Sequence, residues 1–362
     1  MNAVAPRTGP LAGVRVVEFA GIGPGPMCAM LLSDLGADVL RLERPGGTGR
    51  PNPILTRGRG TMQVDMKSAA GIAICLAAAD SADIVIEGYR PGVMERLGFG
   101  PDVLTARNPR LIYGRMTGWG QSGPLAQTAG HDINYIALSG ALAGIGGPGG
   151  GPSVPPLNLV GDFGGGSLYL ALGLVAALHE RDRSGIGQVV DCAIVDGVAS
   201  MMAMLAGLAA TGSLSLDRDR SMLGGAAPFY RCYSCADGLE IAIGAIEPPF
   251  YRELLSLIGA RPGLADEQDD IERWPQATEE LAAIFRSKPR AAWCALLESS
   301  DACFAPVLSL DDAPAHPHLH ARETYQQRDG IDHPAPAPRF SRTPGAIAPT
   351  TEGQEMLDLW RR

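Results

Sequence analysis

The chain has 362 residues, enough for two domains, and 46% of them are hydrophobic, so a large core can be buried. The formal charge of −9 argues against a general nucleic-acid binder. Lys67 and Lys288 are the only lysines, so any phosphate site must be a local cluster, mostly of arginine.

No charged start followed by a continuous apolar core is found, so a secretory leader is not expected. The ending Leu359-Trp360-Arg361-Arg362 carries no peroxisomal address. The uncharged residues 198–210 are too short to cross a bilayer and are expected as a buried or interface helix. Seven scattered cysteines read as reduced thiols, which places the expected protein in the cytoplasm. Cys232 and Cys235 form a C-x-x-C, but a zinc site wants a second pair and a redox motif wants a helix start. This pair lies in a β-like run and reads as structural.

In chain order, residues 14–20 form a first strand, Gly21 to Pro26 a turn, and residues 27–35 a helix with Gly36 at its end. Residues 38–43 are a second strand. This β-α-β unit calls for an open parallel sheet with helices on its faces, an α/β fold. Gly21-x-Gly23 after a strand, with Glu43 about twenty residues on, is a near-match to a dinucleotide fingerprint. The third glycine position is Pro26, which makes NAD a weak reading.

A helix follows at 71–80, then strands at 83–87 and 111–116, a long helix at 167–183 and a strand entered at 187–191. After Gly212 the character changes: residues 213–223 are polar, 228–246 read as paired strands, and helices follow at 249–258, 279–285 and 289–299. The expected domains are a large one over 1–212, a linker over 213–227, a small α+β domain over 228–325, and a segment over 326–362 returning across the large domain.

Residues 130–166 carry the candidate chemistry. His131 and Asp162 stand about thirty residues apart, each just before a helix-like run, and could be two acid/base groups facing one pocket. A solvent-facing His and a helix N-cap Asp are the plain alternatives. The cluster His316, His318 and His320 lies far from these motifs in sequence and reads as a loop leading into a helix, so no metal site is expected.

Ordered motifs extend along nearly the whole length: Arg15-Val16-Val17-Glu18 with Gly21 to Pro26, Asp34-Leu35-Gly36-Ala37-Asp38-Val39, Glu87-Gly88-Tyr89-Arg90-Pro91-Gly92, Met116-Thr117-Gly118-Trp119-Gly120-Gln121, residues 130–135 and 155–166, and Gly244-Ala245-Ile246-Glu247-Pro248. In these the chain resembles the α-methylacyl-CoA racemases of the class III CoA-transferase family. The resemblance implies cofactor-free 1,1-proton transfer on 2-methylacyl-CoA thioesters, through an enolate. It implies His131 and Asp162 as acid/base groups on opposite faces, His131 serving the S epimer and Asp162 the R epimer. It gives Asp132 an oxyanion role through its backbone N–H, and Glu247 a place near the catalytic Asp. An interlocked homodimer would bring Glu247 from the partner subunit.

For the CoA portion of the substrate, Val64-Asp65-Met66-Lys67 resembles the family segment that borders the adenine and ribose phosphate. Arg44 follows the second strand, where an open parallel sheet binds ligands, and Arg90 and Arg96 flank Pro91-Gly92; each is a phosphate candidate or a solvated surface charge. Ile22, Ala129, Gly130 and Asn134 are further candidates for this path. Met201, Met202, Met204 and Met222 could offer the acyl group an adaptable apolar surface, or simply pack in the core. Two other readings stay open: a CoA-transferase with Asp162 as nucleophile, and a non-catalytic acyl-CoA binder. His131 separates the first from a racemase, and the set His131, Asp162 and Glu247 argues against the second.

Overall fold

A computed structural model describes residues 7–47 and 52–361. Residues 1–6, 48–51 and 362, the ends of two expected spans among them, lie outside these. The chain forms two compact units. One takes Met1–Ser139, Pro156–Met201 and Ala321–Arg362; the other takes Gly140–Pro155 and Met202–His320.

In the first unit, β1 (Arg15–Phe19), α1 (Pro24–Asp34), β2 (Asp38–Glu43), β3 (Arg59–Gln63), α2 (Ala69–Asp80), β4 (Ile84–Glu87), α3 (Val93–Arg96), α4 (Pro101–Arg107) and β5 (Ile112–Thr117) follow in order. Pro24 stands in the first turn of α1, where a missing N–H costs nothing. Gly36, just past its end, has φ +103, and a Cβ there would lie 2.5 Å from the Thr8 carbonyl oxygen, so glycine is required. Then come α5 (Asp132–Leu138), a π-helical stretch (Leu159–Leu168), α6 (Tyr169–Ser184), β6 (Val189–Ala193) and α7 (Ile194–Met201).

These strands build a sheet in the order β3-β2-β1-β4-β5-β6, every neighbouring pair parallel. β1, β2 and β4 are buried on both faces, mostly by apolar side chains. The strand order reverses between β1 and β4, and in open sheets the crevice at such a point is where ligands bind. Buried charge knits β1, β2 and β3: Glu18 receives Arg41 at 2.6 Å and Arg59 at 2.5 Å. Arg59 also donates to the Pro26 carbonyl, which ties the turn after β1 to the sheet. Removing one partner from such a cluster costs about 3–5 kcal/mol.

The π-helical stretch and α6 together run 26 residues, long and apolar enough by composition to cross a membrane. The expected nearest candidate, residues 198–210, is a different segment. Here the long helix buries Leu170, Leu174, Ala177 and Leu178, and Leu170 and Leu174 pack against Gly114 of β5. The π-helical stretch meets α7 closely: a Cβ on Gly197 would lie 1.9 Å from the Gly165 carbonyl oxygen.

The second unit contains α8 (Ala203–Ala210), β7 (Tyr230–Ser234), β8 (Glu240–Gly244), α9 (Pro248–Ile258), α10 (Trp274–Phe285), α11 (Arg290–Leu297) and β9 (Phe304–Pro306). Residues 198–210 are thus not one buried helix. The run breaks at Met202, and α8 has no buried residue. β7, β8 and β9 form an antiparallel sheet whose inner face presents Tyr233, Ile241 and Ile243 to Trp274, Phe285 and Trp293. Residues 213–227 belong to this unit, and Ala226 and Ala227 enter its core.

The chain then passes α12 (Pro317–Ala321), the hairpin β10 (Tyr325–Arg328) and β11 (Ile331–Pro334), β12 (Thr351–Glu352) and α13 (Gly353–Trp360). The returning segment does more than cross a surface. β12 adds a parallel strand beside β3, and Met356, Leu357 and Trp360 are buried with Leu40 and Leu42. Burying each such side chain is worth about 1.5–3 kcal/mol.

Candidate active site

A cleft of about 570 Å³ opens at the carboxyl ends of β1, β4 and β5. Its walls are the turn Gly21–Pro26 after β1, Glu87–Pro91 at the end of β4, Met116–Trp119 at the end of β5, Ala129–His131 before α5, and Asp162. His131 and Asp162 therefore face one hollow, at the point where the strand order reverses.

His131 is the N-cap of α5, in extended conformation. Its backbone N–H donates to the side-chain oxygen of Asn134 at 3.0 Å, and its carbonyl receives the Asn134 N–H at 2.8 Å. The residue is exposed. Behind it Tyr135 is buried, donates to the Gly130 carbonyl, and meets Trp119 edge-on with ring centroids 4.8 Å apart. That aromatic pair fixes the chain entering the helix.

Asp162 was expected just before a helix; it lies inside the π-helical stretch instead. The Phe163 N–H bonds back to the Asn158 carbonyl at 3.2 Å, the five-residue step of a π turn, a form common at functional sites. The Asp162 carboxyl is half-buried. Burial raises its pKa above the usual range, and the nearby Asp132 carboxylate raises it further, while the Asn158 amide at 3.5 Å and His131 act the other way. Gly23, with φ +67, lets the turn after β1 approach this carboxyl: a Cβ there would stand 3.2 Å from Asp162 Oδ2.

Glu87 is a cleft residue that the sequence reading quoted only as part of a motif. It is buried at the end of β4, accepts the Tyr89 N–H at 2.8 Å, and pairs with Arg115 at 3.1 Å. Burial pushes its pKa to about 7 against the pull of those two donors. A buried carboxyl titrating in that range, in the cleft that also holds His131, is the kind of group that spacing misses and burial reveals.

Of the expected CoA-binding residues, Ile22, Arg90, Ala129 and Gly130 line this cleft. Arg44, Lys67 and Arg96 are exposed outside its lining, and Arg44 donates to the Gly47 carbonyl at 3.2 Å. Val64 is buried and Met66 packs against the same core, so side-chain contacts from that segment fall to Asp65 and Lys67. Asp65 itself accepts the Lys67 N–H at 3.0 Å. Asn134 lies beyond the lining and serves as the cap described above. Glu247 is exposed at the N-cap of α9 in the second unit. Met222 packs against that unit's core. Glu43, the acid of the dinucleotide near-match, faces Arg41 at 3.4 Å. All seven cysteines are free, and among the described residues no three His, Cys, Asp or Glu side chains converge to hold a metal ion.

The family model described as CoA-transferase family III matches residues 11–352. Over 335 residues, 92% of this chain and 87% of the relative, the chain is 44% identical to the alpha-methylacyl-CoA racemase of Mus musculus. It is 42% identical to the alpha-methylacyl-CoA racemase of Homo sapiens with the same coverage. A crystal structure of a CAIB/BAIF family protein from Brucella suis superposes with a TM-score of 0.79 at 26% identity, over 98% of this chain and 99% of that one.

Proposed function

We infer that this chain, which belongs to CoA-transferase family III, inverts the C2 centre of 2-methylacyl-CoA thioesters. The observation that carries this reading is the single cleft into which both His131 and Asp162 face. Inversion next to a thioester carbonyl needs a base on one face of a flat enolate and an acid on the other, with the roles exchanged in the reverse direction. An exposed imidazole and a half-buried carboxyl suit that exchange, and burial raises the carboxyl's pKa so that it holds a proton more readily. The similarity to two proteins named alpha-methylacyl-CoA racemase supports the same chemistry.

In this mechanism His131 removes the α-proton of the S epimer and Asp162 returns one to the opposite face; the R epimer reacts in the opposite sense. The thioester α-proton is too weakly acidic for imidazole alone. The N–H of Asp132, at the first position of α5, stabilises the developing oxyanion from a helix start. Arg90 and Ile22 in the cleft wall receive the CoA portion, with Lys67 and Arg44 further out along its path. Glu247 supports Asp162 from a second copy of the chain in a homodimer, and no cofactor takes part.

The test is one pure epimer of a 2-methylacyl-CoA, incubated with the protein and no carboxylic acid. The racemase reading predicts conversion to a mixture of both epimers on a chiral column. No inversion, with release of the free 2-methyl acid and formation of the acceptor's CoA thioester once an acceptor acid is added, would assign the protein to CoA transfer instead.

A further inference from the structure

We propose that the side chain of Asp132 is a positioning residue, a clamp that sets where Asp162 stands relative to His131. The inference rests on the racemase reading above but concerns a different atom, the Asp132 carboxylate in place of its backbone N–H. Asp132 is next to His131 in sequence, yet its side chain turns away from solvent and is 6% exposed. Its Oδ2 accepts the backbone N–H of Asp162 at 2.6 Å, thirty residues on.

Asp162 sits in the first turn of the π-helical stretch, where backbone N–H groups have no partner within the helix. A carboxylate from another helix supplies one. The other end of the same residue is held as well: the Ser167 hydroxyl, fully buried, lies 3.1 Å from the Asp162 carbonyl and 2.8 Å from the Pro24 carbonyl. The clamp demands space. A Cβ on Gly161 would stand 2.5 Å from Asp132 Oδ2, so only glycine lets the two elements close this far.

One feature separates a clamp from ordinary packing. Asp132 Oδ1 is buried with no hydrogen-bond partner among the described residues. A buried carboxylate with an unpaired oxygen is costly, and a neutral residue of the same shape would fold with less penalty. This side chain lies beside a carboxyl that must take and give a proton. The same side chain therefore fixes the position of Asp162 and holds its affinity for a proton high. Because His131 and Asp132 are consecutive, any shift of α5 moves both acid/base groups together.

A clamp on Asp162 has an asymmetric signature. In D₂O, removal of the α-proton from the R epimer depends on Asp162, and from the S epimer on His131. Asp132→Ala is expected to slow proton loss from the R epimer by about 100-fold, the cost of roughly 1 Å of misplacement, with a much smaller effect on the S epimer. Asp132→Asn keeps an oxygen for the Asp162 N–H and is expected to recover most of that loss. Both variants are compared with the wild type for thermal unfolding and for binding of the thioester. Equal loss for both epimers, or an Asn variant as poor as Ala, overturns the clamp. If the Ala variant does not fold, the Asn variant alone decides: it must exchange the R epimer within about tenfold of wild type. Wild-type protein that exchanges neither epimer sinks the racemase reading itself, an outcome separable from failure of the clamp.

Discussion

The two acid/base groups share a cleft but are held in opposite ways. His131 caps a short α-helix, is exposed, and is fixed through its backbone by Asn134. Asp162 lies within a π turn, half-buried, with its N–H on Asp132, its carbonyl beside Ser167, and Gly23 against its carboxyl. The imidazole stands in water and is placed through its backbone alone. The carboxyl is partly withdrawn from water, and that burial raises its pKa. The difference teaches that the protein shapes the environment mainly around the group whose ordinary pKa is wrong for the task.

The largest effect comes from breaking either side alone. His131→Ala and Asp162→Asn should each lower inversion by about 10²–10⁴-fold, the usual worth of a positioned acid/base group. Each variant should still exchange the α-proton of the epimer that faces its surviving group, without inverting it; loss of both exchanges would mean the sides are not independent.

Next in size, Gly161→Ala places a Cβ 2.5 Å from Asp132 Oδ2. Forcing the two elements apart should cost about 1–3 kcal/mol in unfolding free energy. Chemical denaturation reads the loss, and unchanged stability would mean the approach is looser than described.

Glu87 sharpens the comparison from a third wall. Its carboxyl is neutral in the folded protein up to about pH 7, but releases its proton near 4.5 when unfolded. The preference of the folded state for the protonated form is fully present below pH 4.5 and lost as pH rises through 7. Thermal unfolding of the wild type against Glu87→Gln, from pH 4.5 to 7, should show the variant losing less stability over that window. Parallel curves would remove the titration from Glu87.

The smallest effect is outside the cleft. Lys67→Ala should weaken binding of a CoA thioester by no more than about fivefold, as one exposed charge pair of up to about 1 kcal/mol allows. Turnover at saturation should not change. Calorimetry checks the first expectation, and an unchanged Kd leaves Lys67 as a solvated charge.

Much of this was legible in the residues. The alternation of apolar strands with helical periods gave β1, α1, β2, β4 and β5 to within a few positions, because those elements are buried; β6, only partly buried, was also placed near its observed position. His131 was read as standing just before a helix, and α5 does begin at the next residue. β3 was not, since its sequence Arg59-Gly60-Thr61-Met62-Gln63 is polar; its pairing is earned by Arg59 reaching Glu18, a contact between distant residues. The π turn at Asp162 was also hidden. A glycine-rich run before a helix reads as a helix start, and only the close packing against Asp132 and Gly197 shows why extra residues are wound in. Glu87 escaped notice because its meaning is burial, which no spacing encodes. α8, expected within a buried or interface helix, is exposed on this chain, because apolar composition alone does not say what covers it.

The most direct measurement is the fate of the α-hydrogen. One epimer of a 2-methylacyl-CoA in D₂O, followed by mass and by chiral separation, should yield both epimers, and the inverted product should carry deuterium at C2 from the first turnover. Inverted product that retains its original hydrogen, or no inversion at all, would contradict two opposed groups acting on one enolate.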